Sequence, residues 1–170
     1  LGNLTRACDI WGKTSVVRVQ DNDYATIYRT LGRGAQAIVV PHVNTRREAE
    51  AVVEAAKFAP VGKRGMFTSR QGFGVEDYLK TANDQSALMI LIEDIAAAKA
   101  LDEIVKVEHI DVFFVAPGDL AASMGRIGQM THPDVQKVIN DAIGTIVKAG
   151  RTAGTLVNLG NVERYTKLGV

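Results

Sequence analysis

Several things are scarce in this 170-residue chain. It has one cysteine, Cys8, so no disulfide can form within it, and a reducing, cytoplasmic location is expected. It has no charge surplus: 20 Lys and Arg stand against 19 Asp and Glu, a formal net charge of +1. A protein held to nucleic acid through phosphates would carry a basic excess, so nucleic acid is not an expected partner. No apolar run approaches the roughly 20 residues of a membrane helix, and the first residues do not pattern as a secretion signal, so a membrane is not expected as a partner either. Material for a core is plentiful, with 46% of residues hydrophobic and 23% charged. A compact chain of this length would bury roughly 70% of its extended surface, which is enough without metal or disulfide.

Five short apolar runs are present: 15–19 (SVVRV), 36–40 (QAIVV), 87–92 (ALMILI), 111–115 (DVFFV) and 153–157 (AGTLV). They are rich in β-branched or aromatic residues and nearly continuous, the pattern of strands buried on both faces of a parallel sheet. Helices lie between them. Thr45 with Glu48 forms a capping-box pattern ahead of Ala49, Val52, Val53 and Ala56. Pro133 follows Thr131 and His132 at a helix start, and an apolar stripe from Val135 to Val147 runs to Gly150. Asp94 is expected to cap a helix carrying Ala97, Leu101, Ile104 and Val105, and Asn161 one carrying Val162, Tyr165 and Leu168. Such alternation means an α/β domain with right-handed crossovers, as an open doubly wound sheet or as part of a barrel. The longest irregular stretch, 60–74 (PVGKRGMFTSRQGFG), carries Lys63, Arg64 and Arg70 and is long enough to be functional.

In parallel α/β folds the reacting groups gather beyond the C-terminal ends of the strands. That rim carries Arg18, then Pro41-His42, Glu93-Asp94, Pro117-Gly118-Asp119 and Asn158. Glu93 and Asp119 suit a hard divalent cation that keeps waters and exchanges some for substrate oxygens. Equally, Glu93 could be a solvated rim residue and Asp119 a helix N-cap. Arg18, inside an apolar strand, needs a partner: either a structural carboxylate, or a substrate carboxylate or enolate oxygen. His42 has no local partner visible in the sequence and reads as a loop histidine rather than a base. His109 reads as structural, and His132 as part of a helix entry.

The segments GAQAIVVPHV (34–43), GKRG (62–65), LIED (91–94) and FFVAPGDLAASMG (113–125), followed by HPDVQ (132–136), resemble the HpcH/HpaI aldolase family of metal-dependent class II pyruvate aldolases. The resemblance implies a (β/α)8 barrel of TIM type. Residues 1–170 would form a single partial barrel domain covering about strands three to seven, with the first two strands and the last helix absent. It implies cleavage of a 4-hydroxy-2-oxo acid to pyruvate and an aldehyde, with Mg2+, Mn2+ or Co2+ as cofactor. Glu93 and Asp119 fall on the metal carboxylates, and Arg18 on the arginine that stabilises the pyruvate enolate. Gly118 falls where a small residue offers its backbone to the substrate carboxylate, beside Pro117. Leu91 stands at a substrate-contacting position that is Gln in other members.

The family's catalytic histidine falls before Leu1, and its tuning Asp is replaced by Gly32. The loop 66–74 is expected to supply replacement polar groups, Arg70 among them, and His42 remains a further candidate on the correct rim. The resemblance also implies a homo-oligomer, commonly a hexamer, and this chain by itself is expected to assemble poorly through exposed sheet edges. A citrate lyase β or malyl-CoA lyase-like enzyme and a degenerate, non-catalytic barrel are the alternatives.

Overall fold

The computed structural model describes residues 1–66 and 70–170. Five strands fall within the five predicted runs: β1 (Val16–Arg18), β2 (Ala37–Val40), β3 (Ala87–Ile92), β4 (Val112–Val115) and β5 (Ala153–Thr155). Their order in the sheet follows the chain, β1-β2-β3-β4-β5. The β1–β2 and β4–β5 pairs are parallel, with Val17 beside Ile38 and Phe114 beside Gly154. Burial on both faces holds at the end of β3, where Ile90, Leu91 and Ile92 are consecutive buried residues, whereas β4 alternates between buried and half-buried positions. It fails at β1 and beyond β5: Val16, Leu156 and Val157 are exposed. These strands end the order and have a neighbour on one side only. Among the described residues no helix is long and apolar enough to cross a membrane.

The described residues divide into two compact units, one of Leu1–Pro41 with Glu50–Met89 and one of His42–Ala49 with Ile90–Val170. In the first, α1 (Gly2–Ile10) precedes β1, and α2 (Tyr24–Gly32) joins β1 to β2. The Asp23 carboxylate accepts the Thr26 N–H at 3.0 Å and starts α2, which buries Ile27 and Leu31. Beyond α3 (Arg46–Ala56), the buried Lys57 donates to the carbonyls of Asn83 and Ser86 at 2.6 and 2.7 Å. Arg64 is buried too, its guanidinium 4.4 Å from the centre of the Phe58 ring, and burial lowers its pKa. A single turn of 3-10 helix (Arg70–Gly72) and α4 (Tyr78–Thr81) lead to β3.

The capping box at the start of α3 forms as expected, and reciprocally. The Glu48 carboxylate accepts the Thr45 N–H at 2.9 Å, and the Thr45 hydroxyl accepts the Glu48 N–H at 3.2 Å. Ala49, Val52, Val53 and Ala56 are all buried.

In the second unit, α7 (Pro117–Ser123) follows β4, and α8 (Pro133–Lys148) packs on β4 and β5 through Val135, Ile139, Ala142, Ile143 and Ile146. Pro133 opens α8, His132 Nδ1 accepts the Asp134 N–H at 3.2 Å, and Gly150 at φ +71° leaves the helix. Two expected caps do not form. The helix assigned to Asp94 is two pieces, α5 (Ile95–Lys99) and α6 (Leu101–Ile104), separated at Ala100 with φ −95° and ψ 4°. The first free N–H, that of Ile95, donates to the Ser123 hydroxyl at 3.0 Å rather than to Asp94. At α9 (Val162–Lys167) the Asn161 side chain turns back to accept the Asn158 N–H at 2.7 Å, so it does not cap the helix.

Candidate metal and substrate site

Glu93 follows β3 directly. Three buried residues, Ile90 to Ile92, carry the chain to that point, and the Glu93 side chain stays buried at 1% exposure. An ionised carboxylate there needs its lone pairs matched. Oε1 is matched: the peptide N–H of His42 donates to it at 2.9 Å, and His42 Nδ1 lies 3.2 Å away. Among the described residues Oε2 is buried without a hydrogen-bond partner.

His42 follows β2, and its ring is exposed. Its Nδ1 also lies 3.3 Å from Asp94 Oδ2, so one imidazole nitrogen faces two carboxylates. The local sequence hid this partnership, because Asp94 read as a cap. The usable signal was topological: His42 and Asp94 follow consecutive strands.

Pro117 and Gly118 open α7, Pro117 buried and Gly118 exposed. A side chain added at Gly118 would stand 3.9 Å from the Met130 sulfur. Asp119 is exposed in the first turn of α7. Ala116 occupies the N-cap position, so the cap alternative for Asp119 is not realised.

Each remaining candidate is placed within the first unit, or along β3. Arg18 ends β1 and is exposed, with Nη1 3.5 Å from the Val19 carbonyl. Within this chain the Arg18 side chain is therefore exposed rather than enclosed by the apolar strand around it. Leu91 is 7% exposed within β3. Arg70 is committed to α1, donating to Asp9 at 2.8 Å, to the Thr5 hydroxyl at 3.2 Å and to the Arg33 carbonyl at 3.3 Å. Gly34 makes room for it: at φ +99°, a Cβ there would lie 2.1 Å from Arg70 Nη2. Of the loop 66–74, Phe67, Thr68 and Ser69 lie outside the described residues.

Among the described residues no group of three or more His, Cys, Asp or Glu side chains is disposed to hold a metal ion. A hard cation of the Mg2+ type does not need one, since it is commonly held by one or two carboxylates and completes its shell with water and substrate oxygens. The unpaired buried Oε2 of Glu93, with the exposed carboxylate of Asp119, fits that donor set.

The model of the HpcH/HpaI aldolase/citrate lyase family matches residues 4–168. The chain belongs to this family. It is 37% identical over 159 residues to a hydroxypyruvate/pyruvate aldolase from Roseovarius nubinhibens, covering 91% of this chain and 62% of the relative. It is 38% identical over 159 residues to a 4-hydroxy-2-oxo-heptane-1,7-dioate aldolase from Shigella sonnei, covering 91% of this chain and 61% of that protein. The chain thus spans about three-fifths of the length of these curated relatives. A crystal structure of an HpcH/HpaI aldolase/citrate lyase family protein from Burkholderia cenocepacia superposes with a TM-score of 0.91 at 29% identity, covering 99% of this chain and 69% of that one. The HpcH/HpaI family fold is therefore shared along nearly the whole chain.

Proposed function

We propose that this chain carries the metal and substrate groups of a divalent-metal-dependent aldolase, one that cleaves a 4-hydroxy-2-oxo acid to pyruvate and an aldehyde. The buried Glu93 carboxylate carries the reading, with one oxygen held by His42 and the other unpaired at the end of a parallel strand. Structural carboxylates in a core are normally saturated. An unsaturated one at this rim is suited to coordination. The aldolase relatives, which include a 2-keto-3-deoxy-L-rhamnonate aldolase at 39% identity, favour this chemistry over the citrate lyase alternative.

In this reading Glu93 and Asp119 hold Mg2+, Mn2+ or Co2+. Bound there, the cation supplies Lewis acidity to the 2-oxo acid and lowers the cost of the enolate that C–C cleavage releases. Arg18 places a permanent positive charge on the developing enolate oxygen, a role open to an exposed guanidinium at a strand end. Gly118 leaves the start of α7 uncovered, so its backbone can meet a substrate carboxylate. Pro117, beside Gly118, and Leu91, two residues before Glu93, stand at the remaining substrate-contacting positions. The same reading makes residues 1–170 one partial domain, strands three to seven of a (β/α)8 barrel, within a cytoplasmic homo-oligomer.

Pyruvate release from a panel of 4-hydroxy-2-oxo acids by the full-length protein tests the proposal. Release should vanish with chelator, return with Mg2+, Mn2+ or Co2+, and be lost in Glu93→Gln and Asp119→Asn. Release that survives exhaustive chelation, or none from any substrate with metal bound, would overturn it.

A further inference from the structure

We propose that His42 is a positioning residue for the Glu93 carboxylate, gripping Oε1 from two directions so that Oε2 stays presented to the cation. This rests on the metal reading above. The backbone of His42 is left-handed, at φ +54°, a conformation that residues with a side chain seldom take. In that conformation its peptide N–H reaches Glu93 Oε1 at 2.9 Å. The turn is pinned on both sides by the buried Pro41 and Val43. The ring adds a second hold, with Nδ1 3.2 Å from the same oxygen and 3.3 Å from Asp94 Oδ2. Asp94 is available because the Ser123 hydroxyl takes the N–H at the head of α5.

Glu93 cannot exchange its two oxygens without breaking both contacts at once. The carboxylate is therefore fixed before a metal arrives, and its donor oxygen is chosen in advance. His42 thus acts through Glu93 and needs no contact with substrate.

Mn2+ binding at one fixed pH, followed by electron paramagnetic resonance on the full-length protein, tests this without turnover. His42→Ala removes the ring and strains the left-handed backbone. His42→Gly removes the ring but keeps an unstrained N–H, and His42→Asn accepts the backbone and returns an amide donor. His42→Ala should weaken Mn2+ binding about 10–100-fold, the usual cost of losing a group that orients a metal ligand. The Gly and Asn variants should lose less, and they carry the test if the Ala protein fails to fold. At saturating Mn2+ kcat should recover while the half-saturating Mn2+ concentration stays raised, a split that a purely structural role would not produce. Affinities of all three variants within about twofold of wild type would overturn the positioning role and leave the aldolase reading standing. A wild-type protein that binds no Mn2+ would remove both.

Discussion

Lys57 in the first unit and Glu93 in the second are both removed almost wholly from water, at 4% and 1% exposure, and they are treated differently. The Lys57 ammonium has three protons and meets three oxygens: the Asn83 carbonyl, the Ser86 carbonyl and, at 3.4 Å, the Ser86 hydroxyl. It ties the end of α3 to the segment before β3. Glu93 has one oxygen held and the other unpaired. A saturated buried charge has nothing left to offer and serves the fold. A half-saturated one is a liability to the fold that makes sense only if something else completes it.

Substitutions can break or sharpen this contrast, and the largest effect should come at Glu93. Glu93→Gln removes the charge while keeping the shape, and kcat/KM for pyruvate release should fall by more than about 100-fold, beyond the cost of disturbing a group that merely orients a ligand. The urea midpoint of the same protein should hold or rise, because an unpaired buried charge has gone. A midpoint that falls steeply would mean that Glu93 is as structural as Lys57.

Lys57→Met should show the opposite profile. It removes the donor from two partly buried carbonyls and empties a buried position of its ammonium, and should cost about 2–4 kcal/mol in urea denaturation. Activity per folded molecule should be retained. Glu48→Ala, which opens the capping box of α3, should cost about 1 kcal/mol by the same measurement.

The smallest effect concerns Asp23. Hydrogen bonds from Thr26 hold its carboxyl below the usual carboxylate range. Its contribution to α2 should therefore be complete above the unfolded-state pKa and disappear as the pH falls through the lowered folded one. Comparing Asp23→Ala with the parent across an acid titration should show their stabilities converging at low pH.

How much of this could be read beforehand divides along physical lines. The strands were legible because continuous apolar runs such as AIVV and ALMILI are long enough to bury themselves, and the Thr45–Glu48 box because both partners lie within one turn. Candidates at strand ends were legible because strand order fixes which loops share a rim. The pairing of His42 with Asp94 was not, since it joins residues 52 positions apart and is made by a third side chain, Ser123, taking over a cap. Asn161 does not cap its helix for a related reason: its side-chain oxygen has a nearer use in its own turn. The commitment of Arg70 to α1 was equally hidden, resting on a contact 61 positions away.

The turn bearing Glu93 and the helix bearing Asp119 are laced together on both flanks. Ahead of Glu93, the Ile92 carbonyl accepts the Ala116 N–H at 3.1 Å; behind it, the Ile95 N–H meets the Ser123 hydroxyl at 3.0 Å. That hydroxyl in turn donates to the Leu120 carbonyl at 2.8 Å, within α7 itself. Two acids 26 positions apart in the chain are thus mounted on one bracket, and neither loop can drift without dragging the other. Mutations in the two segments should consequently not be independent: the loss from combining Ser123→Ala with Asp94→Ala should differ from the sum of the single losses. For evolution, the bracket means that a new substrate is more readily accommodated by residues around these two acids than by moving either one.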